Sequence, residues 1–483
     1  MTRPRDGSET LIRRGCIDRP GVKPASMFSQ GMIFACIRKL RWLLALAVIV
    51  LCGCAYALVH GGAVDSAKAD QVKTGIQKLR QLNFKAPVPL VVKTRDEAER
   101  IMIGEIARDH SDEDLRIGGL TGAMTGLFPP GIDLKAETLK LLRSQIAGFY
   151  EPREKQMVLV EDKGALGFWN GAAQFVSRRD PAGEMLLAHE LTHALQDQAF
   201  GIDAMLKRVK DNDDRSLALK SVAEGDATLA GFAYIAGGLT NTSVDTVVSK
   251  LANLPEAFNA EATDVPEGLS TPLLFQYSAG TRFVAEAWHR GGWAKVNALY
   301  ANPPASTQQI MQPEFYFDHT SPPASINIAG YEDVLKGWKQ VDDDTYGELL
   351  LGVILKRNLP ARTPALSTLS NWAGDRILVL EKGKALTLLW IIAFRNTASA
   401  AQFAAAYGGV LDHLRGENNP HRVEARSTTV LIVIGQGPGN LAQLASSLWR
   451  SSTVDRIDSS PPISPTSAIG TASPHPPAAY PPS

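Results

Sequence analysis

The sequence predicts an α+β protein: a mainly helical unit with a small sheet over residues 61–330, followed by a smaller α+β unit over residues 331–453. Two observations predict it. The middle of the chain carries long runs with apolar residues at helical spacing and one short strand-like run, QMVLVE. The later part alternates helix-period segments with apolar runs of strand length, a pattern that builds an antiparallel sheet with helices packed on it. All four cysteines, Cys16, Cys36, Cys52 and Cys54, precede residue 55, so the globular part has neither a disulfide nor a cysteine metal site and must rely on its core.

Residues 1–31 carry no recognisable structural logic, and Met27 and Met32 just before the next segment allow a later start. Residues 32–60 read as a signal peptide or membrane anchor. Arg38, Lys39 and Arg41 precede an uncharged run from Trp42 to Val59, and its lack of a polar face argues against a buried helix of a soluble domain. Three outcomes are open. Leu51-Cys52-Gly53-Cys54 resembles a lipobox that would leave a lipidated Cys54, Ala55-Tyr56-Ala57 fits an ordinary cleavage site, and the run is just long enough to span a bilayer. Each exports the rest of the chain. Membrane association, by lipid or by helix, is the expectation, and release as a secreted or periplasmic protein is the alternative.

Next come mixed helices and one strand (VPLVV) between Asp70 and Arg143, with DEAERIMIGEIARDH as an amphipathic helix. After a turn at Glu151-Pro152-Arg153, Gln156–Glu161 reads as a strand. A helix then opens with Asp180 as N-cap and Pro181 in its first turn and ends at Gly201, its buried stripe being Leu187, Leu191, Ala194 and Leu195. A second helix runs from about Arg215 to Ile235, rich in small residues (Ala223, Gly225, Ala227, Ala230, Gly231) that permit close packing. SPPASINIAG reads as a linker. Beyond it come the helix GELLLGVILKRNL, the strands RILVLEK and ALTLLWIIAF, the helix ASAAQFAAAYGGVLDHL, the strand STTVLIVIGQ and the helix NLAQLASSLWR. Gly435-Gln436-Gly437-Pro438-Gly439 lacks the lysine and spacing of a phosphate loop and reads as a strand-to-helix turn. Residues 454–483, rich in Pro, Ser and Ala, are expected to be disordered. Fifty basic and fifty acidic residues leave no net charge and give no footing for nucleic acid as a partner.

The chemistry lies in the first of the two central helices. His189-Glu190-Leu191-Thr192-His193 is an H-E-x-x-H motif, and residues four apart on a helix lie about 40° apart on one face, so both imidazoles can address one metal ion. Zinc takes two such nitrogens, and the adjacent carboxylate, Glu190, can then act on water rather than on the metal. Three polar groups in an apolar run would be costly without a metal to engage them. A third ligand is needed. Histidine six residues after His193 would make a metzincin, but that position is Ala199. Glu224, 31 positions after His193 among Val222, Ala223, Ala227 and Leu229, is the candidate third ligand. Asp226 lies about 200° round the helix from Glu224, which suits an indirect partner that orients a histidine; Asp197 competes for that role.

HELTHALQDQ resembles the active-site helix of thermolysin-like metallopeptidases, and its combination with a later E-G-x-A helix resembles the gluzincins. The wider chain is similar to a group of bacterial and archaeal gluzincin-like proteins through AGFYEPREKQMVLVED, HELTHALQDQAF, AEGDATLAG, LLFQYSAGTRFV and GGWAKVNALYANPPASTQQIMQPEFY, about Ala147 to Tyr316. Around Glu224 the chain departs from the thermolysin pattern. The resemblance implies a zincin-like metallopeptidase domain with zinc held by His189, His193 and Glu224, and a peptide or protein substrate. It also implies an edge role for the QMVLVE strand, which would present its backbone to an extended peptide. Tyr277, 53 positions after Glu224, would be the donor that stabilises the oxyanion. The function so implied is an exported, membrane-associated zinc metallopeptidase with Glu190 as general base. The alternative is an exported binding or adaptor protein that keeps the fold without turnover, which the presence of Glu190 disfavours.

Overall fold

The structure, a computed structural model, describes residues 59–60, 63–143, 148–160, 181–255, 265–318, 321–415, 420–435 and 440–455. The basic and apolar leader, the N-cap Asp180, Glu161, residues 436–439 of the glycine-rich turn and the tail from residue 456 lie outside them. Among the described residues no helix is long and apolar enough to cross a membrane. The described residues form one unit, and its architecture is α+β, as the sequence predicts.

A short pair of strands, β1 (Val59–His60) and β2 (Ala63–Val64), leads into helix α1 (Ser66–Arg80). Asp65 caps α1, and Ala69, Val72, Ile76 and Arg80, spaced three and four apart, form its buried stripe. Strand β3 (Leu90–Lys93) follows, then α2 (Arg95–Asp109) and α3 (Asp112–Thr125), each opened by a reciprocal capping box, Thr94 with Glu97 and Ser111 with Asp114. After α4 (Leu134–Arg143), strands β4 (Gly148–Glu151) and β5 (Gln156–Val160) form a hairpin. In this three-stranded sheet β5 is central, parallel to β3 and antiparallel to β4. The edge position expected of the QMVLVE strand is therefore not its own; the edges are β3 and β4. The near-continuous apolarity of QMVLV has its cause here, since a strand paired on both sides is buried on both faces.

The predicted metal helix is α5 (Pro181–Phe200), ended by Gly201 at φ 70°, with Leu187, Leu191, Ala194 and Leu195 fully buried. A short α6 (Ile202–Arg208) turns the chain into α7 (Asp213–Ala236), capped by Asn212 and closed by Gly237 in the left-handed conformation. After α8 (Asn241–Leu251) comes α9 (Glu267–Ala298), which breaks at Gly291 and Gly292, the latter at φ 62° and ψ −158°. Two glycines set how close α7 and α9 come. A Cβ on Gly225 would fall 2.3 Å from the carbonyl carbon of Gly280, and one on Gly280 would fall 2.2 Å from the carbonyl oxygen of Ser221. The small-residue face of α7 thus does what the sequence suggests, and Gly231 on the same helix gives α5 room beneath His189.

Helices α10 (Thr307–Met311) and α11 (Glu314–Phe317) precede β6 (Ser325–Asn327). The segment expected to be a linker is this strand: it buries Ile326 and pairs antiparallel with the last strand, β12 (Thr453–Asp455). The remaining elements are β7 (Lys339–Asp344), α12 (Gly347–Asn358), the short α13 (Ala365–Thr368), β8 (Trp372–Lys382), β9 (Ala385–Phe394), α14 (Thr397–Arg415), β10 (His421–Arg426), β11 (Thr429–Gly435) and α15 (Leu441–Ser451). Five strands make one antiparallel sheet in the order β10-β11-β9-β8-β7. Alternate residues of β9 and β11 go to opposite cores: Leu388, Trp390, Ile392, Val430 and Ile432 pack with α12 and α14, whereas Leu389, Ile391, Leu431 and Val433 pack with α15. Both faces are covered, which is why ALTLLWIIAF has no polar alternation. Buried Asp375 accepts from the indoles of Trp372 and Trp390 and from the first backbone N–H groups of α12, at 2.9–3.1 Å, and so ties that helix to the sheet.

Candidate metal centre

Helices α5 and α7 bring together the residues that the motif singles out. His189 Nε2 lies 3.2 Å from Glu224 Oε2, and His193 Nε2 lies 3.5 Å from the same oxygen. The two Nε2 atoms are 3.1 Å apart. One nitrogen from each histidine and one oxygen of Glu224 all fall within 4.8 Å of one another, the only such group of three among the described residues. His189 is buried, whereas Glu224 and His193 keep about a fifth of their side-chain surface exposed, so the group is open on one side. Glu224 is half-buried along a stretch of α7 that is otherwise buried from Ser221 to Ala233, so the apolar neighbours seen in the sequence form the floor of the site.

Glu190 stays outside this set. Its Oε2 accepts the backbone N–H of Tyr150 at 2.9 Å, from the side of β4 that faces away from β5. Tyr150 also donates its hydroxyl to Asp197 at 3.0 Å, so β4 is pinned to α5 at two points two turns apart. Tyr277, on α9, stacks its ring 6.3 Å from that of His189 and has its hydroxyl hydrogen-bonded to Glu224. The structure thus collects His189, Glu190, His193, Glu224 and Tyr277 in one place.

Asp226 and Asp197, considered from sequence as partners of a histidine, hydrogen-bond to Gln196 and to Tyr150 instead. Gln196 occupies that position: its Oε1 lies 2.9 Å from His193 Nδ1, while its amide nitrogen donates to Ala223 O at 2.9 Å and to Asp226 Oδ2 at 3.1 Å. The same oxygen of Asp226 accepts from Arg80 at 2.8 Å and from the Tyr300 hydroxyl at 2.8 Å, and the Arg80–Asp226 pair is fully buried. Arg80 donates further to Asn297 at 2.8 Å and lies over the Trp293 ring at 4.4 Å. Trp293, Asn297 and Tyr300 all lie beyond the Gly291–Gly292 break, and the first two meet Arg80 of α1. Sequence reading missed Gln196, Arg80, Asn297 and Tyr300. Their only local signals are a glutamine one turn beyond His193 and an arginine that continues the Val72–Ile76 stripe.

The charges in the site call for a cation. Burial pushes the Glu190 carboxyl up to about 7, reinforced by Glu224 and opposed by His193 and the Tyr150 N–H. Burial works against a charged His193, yet the carboxylates of Glu224 and Glu190 and the bond to Gln196 together push it up to about 10. Burial likewise opposes the charge on Glu224, but the two histidines hold it well below the usual carboxylate range. Burial lowers His189. The site thus sets two imidazoles against a half-buried carboxylate, Glu224, and a buried one, Glu190. Two imidazole nitrogens and one carboxylate oxygen are a donor set suited to zinc, so the residues present fit that ion.

A family model described as a domain of unknown function (DUF8575) matches residues 333–445, from just before β7 into α15, and does not include the metal centre. None of the curated proteins matches the chain. Among solved structures, the chain is similar to one described as "a putative hydrolase with a novel fold from Chloroflexus aurantiacus", at 16% identity and a TM-score of 0.37, over 56% of this chain and 94% of the other.

Proposed function

We propose that this protein is a zinc metallopeptidase of the gluzincin type, exported and held at a membrane, with His189, His193 and Glu224 as metal ligands. The observation that carries the reading is the convergence of those three side chains, from two helices, beside a buried glutamate that is not itself in the ligand set. A zinc ion held there supplies Lewis acidity toward a scissile carbonyl and makes water more acidic. The chain's own groups do the rest. Glu190, held beside the ligand set by the Tyr150 N–H, takes the proton of the attacking water and returns it to the leaving amine. Tyr277 stands beside Glu224, where its hydroxyl can donate to the carbonyl oxygen as negative charge develops. The outward backbone of β4, next to Glu190, offers an extended peptide a strand to pair with. A carboxylate kept beside the metal ligands favours turnover over the alternative, a binding or adaptor protein.

Elemental analysis of the purified protein tests the ligand set. One zinc per chain is expected for wild type and a large loss for Glu224→Ala; unchanged zinc in the variant would remove Glu224 from the set. Cell fractionation of wild type and Cys54→Ala tests the tether. A lipid anchor predicts loss of membrane association in the variant, a spanning helix predicts none, and full-length protein in the cytoplasm would overturn export.

A further inference from the structure

We propose that Gln196 is a positioning residue for the metal centre: it fixes the tautomer of His193, and the buried Arg80–Asp226 pair fixes Gln196. The inference rests on the reading of His189, His193 and Glu224 as metal ligands. It comes from which groups can only accept. Gln196 is fully buried, and its side-chain nitrogen faces Ala223 O and the carboxylate of Asp226, neither of which can donate. The amide must therefore present its NH2 to them and its oxygen to His193 Nδ1, 2.9 Å away. An amide oxygen only accepts, so Nδ1 carries the proton. The lone pair of a neutral His193 is then on Nε2, the atom turned toward Glu224 and His189.

An isolated amide flips with little preference. Here a flip would set Oε1 against a carbonyl oxygen and a carboxylate together. Asp226 in turn is held by Arg80 from α1 and Tyr300 from beyond the α9 break, and Arg80 is held by Asn297 and Trp293. Three separated segments thus fix one amide. The choice of an amide has a physical reason as well. A carboxylate placed directly on His193 would add a third negative charge beside Glu190 and Glu224. Gln196 transmits orientation without charge, and the charge of Asp226 is balanced by Arg80.

Zinc affinity, measured by competition with a chromophoric chelator, tests this without reference to activity. Gln196→Met keeps the volume but not the hydrogen bonds, and zinc should bind it about 10–100-fold more weakly than wild type. The proton on His193 Nδ1, read by nitrogen NMR of the zinc-loaded wild type, is the readout that a packing role alone would not set. If wild type binds zinc and folded Gln196→Met binds it equally well, the positioning role is wrong and the ligand assignment survives. If wild type binds no zinc, the metal reading itself falls. Should Gln196→Met not fold, nitrogen NMR of the zinc-loaded wild type decides. A protected proton on His193 Nδ1 supports the proposal, and metal bound through Nδ1 overturns it.

Discussion

Removing Arg80 should unsettle the protein far more than its place at the end of an ordinary amphipathic helix suggests. Arg80 and Asp226 are both fully buried and 2.8 Å apart. Arg80→Met retains most of the volume over the Trp293 ring but leaves the carboxylate of Asp226 with only the neutral donors Gln196 and Tyr300. Breaking one half of a buried pair typically costs about 3–5 kcal/mol, because the remaining charge is stranded in a medium that solvates it poorly. Replacing both partners removes the stranded charge, so Arg80→Met/Asp226→Leu should be considerably more stable than the sum of the two single losses predicts. Urea unfolding of metal-depleted protein, for wild type, both single variants and the double, gives the coupling directly. A single-variant loss under about 1 kcal/mol, or strict additivity in the double, would refute the idea that this pair is an electrostatic unit.

Other parts of the fold give three more expected outcomes. Gly225→Ala gains about 1 kcal/mol of helix propensity but forces a Cβ to within 2.3 Å of the Gly280 backbone, so a net loss of about 1–3 kcal/mol in urea unfolding is expected, and a neutral result would contradict the close α7–α9 crossing. Asp214 is buried and pushed up to about 7 by that burial, against the bonds it accepts from Thr307; a carboxyl raised in the folded state gives stability that is complete below its unfolded value and lost as pH rises through about 7. Wild type should therefore lose roughly 2–3 kcal/mol more than Asp214→Asn between pH 5 and pH 8, and parallel pH profiles of the two proteins would contradict this. Tyr277→Phe should leave zinc content unchanged and lower peptide hydrolysis about 100- to 1,000-fold in kcat, the range for one oxyanion donor, while unchanged turnover would leave Tyr277 only its structural contacts with His189 and Glu224.

The features legible in the sequence are those that local spacing determines. The H-E-x-x-H helix, the small-residue face of α7, the position of Glu224 and the inner strands β8, β9 and β11 all announce themselves within a window of a few turns or a few alternations. Two strands of the large sheet are not legible there, and they are its two edges. KQVDDD in β7 and HRVEAR in β10 are rich in charge, a composition that keeps an exposed edge from pairing with another chain and also makes it look like a loop. The edge strand beside the metal helix is misplaced for a related reason: β5 has the stronger apolar run because it is central, while GFYE in β4 is short and mixed. The network behind His193 is out of reach because it is non-local. Arg80 and Asp226 are 146 residues apart, and nothing near either residue indicates the other.

The central claim, that Glu190 works as a base beside a metal held by His189, His193 and Glu224, is tested most directly by one comparison. Wild type and Glu190→Gln, purified alike and assayed for zinc content, are given the same broad peptide mixture. Glutamine keeps the size of the side chain and removes its basicity. Zinc content should stay the same, and hydrolysis should fall at least ~100-fold, the scale of general-base catalysis. Equal hydrolysis by the two proteins, or none by wild type on any peptide, would contradict the account.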